Sequence, residues 1–186
     1  MKATTAIGIS IALFTSIALN ASQAQQPAPA SPPSAPAATN PLDAVPEKMP
    51  FDIPYGTPVT LDRAEAAIAA TVAEAKVRNW KLNIAVVDSG GNLVAFQRMD
   101  GAQLASIAVS EHKARASVQF RRETKTYENA IQTSNLLYVM TLDGMIASRG
   151  GIPLVDNGKI IGGIGCSGGT GSQDEVACKA GAAMFK

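Results

Sequence analysis

The sequence predicts an α+β domain, an antiparallel sheet with helices packed on it. Two hairpin patterns and the order of the helical patterns around them predict this class. In the first hairpin, Leu82, Ile84 and Val86 alternate with Asn83, Ala85 and Val87, the turn is Asp88-Ser89-Gly90-Gly91-Asn92, and an extended return runs from Leu93 to Met99. The second runs from Gly150 to Asp156, turns at Asn157-Gly158, and returns from Lys159 to Cys166. Asn-Gly between apolar runs is a strong hairpin signal, because both residues accept the positive φ of a tight two-residue turn. The order helix, hairpin, two helices, hairpin, helix differs from the strand–helix alternation of a doubly wound nucleotide fold.

The helices follow in chain order. Thr60 can cap a helix beginning at Leu61, with Asp62 in its first turn, where a carboxylate suits the helix dipole. Leu61, Ala64, Ile68, Val72 and Ala75 fall at helical spacing and form its buried face, and Asn79-Trp80 ends it. A second helix spans Ala102 to Phe120, with Ala102, Ser106, Val109, Lys113, Ala116 and Phe120 on one face of mostly small residues. A third starts near Thr124 and covers Tyr127 to Ser134, while Leu136 to Met145 fits either helix or loop. Gly162, Gly163 and Gly165 thin the last strand, which predicts close approach by a helix or a ligand. Ser167 to Gly171 is a loop, and Ser172 to Phe185 is the closing helix, with Asp174 and Glu175 in its first turn.

The start of the chain has a different character. Met1-Lys2 precedes an apolar run from Ala6 to about Leu19, and Ser22-Gln23-Ala24 places small residues where a signal peptidase reads. This is a secretory pattern, with cleavage expected after Ala24. The run is short of the roughly 20 apolar residues that cross a bilayer, so no membrane span is expected after cleavage. Residues 25–58 form a Pro/Ala-rich linker holding ten of the 11 prolines, and residues 59–186 form the domain. Cleavage removes Lys2 from 16 basic residues and leaves 15 against 15 acidic ones. That balance argues against nucleic acid as a partner. The expected location is periplasmic or secreted.

Several residues are candidates for chemistry. Gly168-Gly169-Thr170-Gly171 opens a helix, whose free N–H groups and dipole could hold a carboxylate or phosphate; the alternative is a tight turn that needs glycine. No Lys follows it, so it is not a P-loop. Arg98 could pair with a ligand carboxylate, or with Asp100. Lys113, on an apolar stripe, either snorkels to an edge or points its ammonium into a pocket, where Asp100 or Asp174 could make it a base or Schiff-base amine. His112 is the only histidine, so a multi-histidine metal site is excluded; it is either a single haem ligand or a helix-surface residue. Cys166 and Cys178 are the only cysteines and form either a disulfide or two buried thiols.

From about Thr60 to Met184 the chain resembles the GlcG/HbpS family, the haem-binding or haem-degrading domain family. The stretches that carry the resemblance are Leu61 to Ala66, Ala85 to Gly91, Arg98 to Ala102, Lys113 to Ala116 and Phe120 to Thr124. Gly150 to Pro153, Gly163 to Thr170 and Gln173-Asp174 complete them. The resemblance implies a profilin-like or PAS-like sandwich with about five antiparallel strands flanked by helices. It also implies homo-oligomers and haem as a cofactor, some members being secreted haem-binding or redox-sensing proteins that act with a sensor kinase. Relatives fused to corrinoid adenosyltransferases bind haem through a histidine from a region that has none here. The expected function is therefore an exported binding protein for haem or a related anionic small molecule. Arg98, Asp100, Lys113, Gly168, Gly169 and Thr170 are its expected ligand-binding residues. An enzyme on a small carbonyl or carboxylate compound using Lys113 and Asp174, or an accessory oligomer, are the alternatives.

Overall fold

The computed structural model describes residues 43–185. The expected signal peptide and most of the expected linker lie outside the described residues. Among the described residues, no helix is long and apolar enough to cross a membrane.

Helix α1 (Leu61–Val77) leads to strands β1 (Asn83–Asp88) and β2 (Leu93–Arg98), then to helices α2 (Ser106–Gln119) and α3 (Lys125–Gln132). A short 3-10 helix (Leu137–Thr141), strands β3 (Gly151–Asp156) and β4 (Lys159–Ser167) and helix α4 (Gly171–Ala182) complete the domain. The strands pair antiparallel in the order β2-β1-β4-β3. The sheet thus has four strands among the described residues, against the five expected. Tyr55 adds an isolated parallel bridge to Ile160, beyond the Asp88↔Gly162 pair that ends β1. There the Gly56 N–H donates to the Ile160 carbonyl and the Ile160 N–H to the Pro54 carbonyl, each at 2.8 Å.

The sheet is covered on both faces. Ile84 and Val86 of β1 point into one core with Ile68, Val72 and Ala177 of α1 and α4. Ala85 and Val87 point the other way, against Ala114 and Val118 of α2. Continuous burial of β1 follows from cover on both faces. Gly163 and Gly165 meet a helix, as their positions predicted, while a Cβ on Gly162 would meet the Val87 carbonyl of the neighbouring strand. A Cβ on Gly165 would run into the backbone of Ser110 and Ala114, and one on Gly163 would stand 2.7 Å from the Ala114 carbonyl, so α2 lies directly on β4. For these two the close neighbour is a helix.

The two sheet edges differ. On β3, the Gly151 carbonyl accepts from the Thr124 N–H and the Gly151 N–H donates to Thr124 Oγ1, each at 3.0 Å. Pro153 has no N–H to offer, and Phe51 and Ile53 lie beside Ile152, Pro153 and Val155. The Arg122 guanidinium stacks on Phe51 and also faces Tyr127, while the Tyr55 hydroxyl donates to the Val118 carbonyl at 3.0 Å. No strand pairs with the outer edge of β2 among the described residues.

Candidate functional site

Of the expected cluster, Arg98, Asp100, Gly168 and Gly169 line adjoining cavities, and Lys113 and Thr170 line neither. Lys113 points inward. Its ammonium donates to Asp174 Oδ2 at 2.9 Å and to the Cys166 carbonyl at 3.1 Å, and the residue is 1% exposed. Gly150, at φ +112°, makes room: a Cβ there would stand 2.8 Å from the Asp174 Cβ and 3.3 Å from Lys113 Nζ. Burial pushes the Asp174 carboxyl above its ordinary range, outweighing the pull of the Lys113 charge and hydrogen bond and of the Gly169 and Gly168 amides. A catalytic amine needs access to substrate and a neutral form. Lys113 has a carboxylate and a carbonyl as partners and almost no exposed surface, so it is corrected here to a core ion pair with Asp174.

The glycine loop does hold a carboxylate, and that carboxylate is Asp174. The Gly169 N–H donates to Asp174 Oδ1 at 3.0 Å. Thr170 is the N-cap of α4: its N–H donates to Gln173 Oε1 at 2.8 Å and its hydroxyl accepts from the Gln173 N–H at 3.3 Å. This reciprocal capping box consumes the donors expected to meet a ligand. The backbone amides of Gly169 and Thr170 are therefore corrected from ligand contacts to internal ones.

What remains is a groove at the end of the sheet where β1 begins and β2 and β4 end. Two adjoining cavities share Asn79, Trp80 and Lys81. The first, of about 340 Å³, adds Lys76, Arg98, Met99 and Asp100; the second adds Gly101, Gln103, Gly168, Gly169 and Gln173. Local sequence builds the mouth. Asn79, at φ +54°, stops α1 in the left-handed conformation, and the Trp80 N–H returns to the Ala75 carbonyl at 2.9 Å. That turn places Trp80 and Lys81 at the rim. The Arg78 guanidinium lies 5.1 Å from the Trp80 ring, and Lys81 lies across Gly101, whose φ is +76°.

The groove carries excess positive charge. Arg63, Arg78, Arg115, Lys125, Arg149 and Lys179 all form ion pairs. Lys76, Lys81 and Arg98 form none among the described residues, and Arg98 does not pair with Asp100. Three uncompensated cations around one indole and one carboxylate suit an anionic ligand with a flat apolar body. Sequence reasoning found Arg98, Asp100, Gly168 and Gly169 and missed Lys76, Trp80, Lys81 and Gln173. The signal was the chain's only tryptophan, followed by a lysine at a helix end.

His112 is elsewhere. It is half-buried on α2, with Nε2 3.2 Å from the Gly144 carbonyl, and lines neither cavity. Cys166 and Cys178 form a disulfide, and both are fully buried. Among the described residues no group of three His, Cys, Asp or Glu side chains could hold a metal ion. The residues around the groove fit the carboxylates and ring face of a porphyrin, but they supply neither a histidine nor a thiolate to its iron.

The fold and groove define a small α+β domain with a sheet between two helical layers and a cationic recess at one end of that sheet. Residues 59–183 match the family model described as haem degrading protein HbpS-like, and the chain belongs to this family. It is 43% identical over 104 residues to Protein GlcG of Escherichia coli K12, covering 56% of this chain and 77% of that one. It is 36% identical over 121 residues to an uncharacterised 15.0 kDa protein of Citrobacter freundii, covering 63% of this chain and 85% of that one. Among solved structures, Klebsiella pneumoniae ORFY superposes with a TM-score of 0.66 at 30% identity, covering 76% of this chain and 97% of that one. A double mutant of Streptomyces reticuli HbpS gives 0.63 at 28% identity, covering 83% of this chain and 99% of that one.

Proposed function

We propose that this domain is an exported binding protein for a small, flat, anionic ligand of the haem type, seated in the Trp80–Lys81 groove. The observation that carries the reading is the set of three unpaired cations, Lys76, Lys81 and Arg98, around the indole of Trp80. Charge-assisted hydrogen bonds to carboxylates and stacking on an aromatic face are the strong forms of recognition open to such a groove. The family's description as haem degrading supports haem as the first ligand to try. An enzymatic reading through Lys113 has no support from the geometry.

Trp80 is the only tryptophan, so it reports on its own site. Titration with hemin should quench its fluorescence to saturation. Arg98→Gln or Lys81→Gln should weaken binding about tenfold, the scale of one charged hydrogen bond. A titration with neither quenching nor a Soret change would sink the proposal.

Export is part of the proposal. It is supported by the secretory pattern before Gln25 and by the Cys166–Cys178 disulfide, a bond that persists in oxidising compartments. Fractionation of cells carrying the full-length chain should place the cleaved protein outside the cytoplasm; uncleaved protein retained inside would refute it. Self-association belongs to the same proposal. Leu137, Tyr138 and Met140 leave about half or more of their surface exposed on one short helix. Light scattering should return a mass of two or more chains, and a monomer at all concentrations would remove this part.

A further inference from the structure

We propose that the groove recognises its ligand as a flat polycarboxylate, through the ligand's acidic groups and ring face, without any protein ligand to a metal at its centre. The inference rests on the reading of the groove as the ligand site and specifies what that site reads.

The chain is poor in residues that could bind iron, and none of the usual ones stands in the groove. The sequence has one histidine and two cysteines. The histidine, His112, sits on α2 with Nε2 at the Gly144 carbonyl and lines neither cavity of the groove. Both cysteines are joined in a buried disulfide, so the chain has no thiolate. The three tyrosines, Tyr55, Tyr127 and Tyr138, also lie outside the groove lining. Met99 is the one soft donor on the groove wall, half-buried at the end of β2. Thioethers at haem iron serve as partners to a histidine, and no histidine stands here. The ordinary axial ligands are thus absent from this site as a matter of composition and placement.

What the groove does present is suited to carboxylates. Arg98 offers a planar fork of donors, Lys76 and Lys81 offer compact charges, and none of them is held by an ion pair among the described residues. Trp80 adds an aromatic surface to the groove wall, half-buried and with the Arg78 guanidinium over its ring, and a conjugated body would meet its remaining exposed part. The chemical class that matches is a conjugated macrocycle or linear polypyrrole bearing two or more carboxylates, with or without a metal.

Three probes test this by quenching of Trp80: hemin, metal-free protoporphyrin IX, and the dimethyl ester of the metal-free porphyrin. Hemin and the metal-free acid should bind within about threefold of each other, and the ester at least about tenfold more weakly. His112→Ala should leave hemin affinity unchanged, while Arg98→Gln should weaken both acids equally. Hemin binding more than about tenfold tighter than the metal-free acid would overturn the inference while leaving the groove as the ligand site, most directly if His112→Ala or Met99→Leu removed the excess. An ester that binds as well as the acid would overturn it from the other side. If none of the three binds, the reading of the groove itself fails, and the inference fails with it.

Discussion

The Lys113 ammonium stands 2.9 Å from the Asp174 carboxylate, with the two side chains 1% and 3% exposed. One partner comes from α2 and the other from α4, on opposite faces of the sheet. The pair therefore passes the end of the sheet and joins the two helical layers.

Breaking this pair leaves an uncompensated buried charge, which costs about 3–5 kcal/mol. Urea denaturation of Lys113→Met and Asp174→Asn should show losses of that order. The double variant Lys113→Met, Asp174→Leu should lose less than the sum of the two singles, because no buried charge remains in it. Losses that simply add would show that the two groups do not act on each other.

The pH dependence has a definite sign. Burial raises the Asp174 carboxyl, so the folded state holds its proton more tightly than the unfolded state does. Its contribution is fully present below the unfolded value and is lost as pH rises through the folded one. Removing the lysine leaves burial unopposed by that charge and raises the carboxyl further. The stability gap between the native protein and Lys113→Met should therefore narrow from about pH 8 to about pH 5. A gap that widens on acidification contradicts the assignment.

Gly165 and Gly158 separate two reasons for glycine. A Cβ on Gly165 meets the Ser110 carbonyl and the Ala114 amide, whereas Gly158 has open space but a φ of +71°. Gly158→Ala should cost about 1 kcal/mol in backbone strain. Gly165→Ala should cost more, about 3 kcal/mol, since α2 must lift from the sheet. Thermal melts of the two variants give the order directly.

The disulfide links β4 to α4 across a separation of 12 residues. Replacing both cysteines with alanine should cost about 2–4 kcal/mol in urea denaturation. The native disulfide, fully buried, should resist reduction until the domain unfolds. Rapid reduction in native buffer would show that α4 opens locally.

The local features of the fold were legible because their causes are local. Asn157 and Gly158 both adopt positive φ, as the Asn-Gly signal requires, and Thr60 stands at the N-cap of α1, although its side chain makes no capping hydrogen bond. The start of α2 was less legible. The apolar pattern begins at Ala102, but the helix begins at Ser106, because Ala102 closes a turn onto Met99 and the Gln103 carbonyl accepts from the buried Asn83 amide. The ambiguous Leu136–Met145 stretch contains a five-residue 3-10 helix. The direction of Lys113 was half legible: the sequence offered Asp100 or Asp174 as its partner, and only the fold, which brings Asp174 from 61 residues away, chooses between them. The glycine loop misled for the converse reason. Its pattern does signal a carboxylate, and nothing in the spacing says that Asp174 of the same chain takes the place.

The guarded edge at Gly151 and Pro153 limits how copies of this sheet can join. Strand-to-strand addition propagates only if every unit offers two free hems. Here one hem is closed by Thr124 and by the missing N–H of proline. Edge-to-edge joining through β2 would close after a single pair, so the sheet can be doubled but cannot be spun into a fibre.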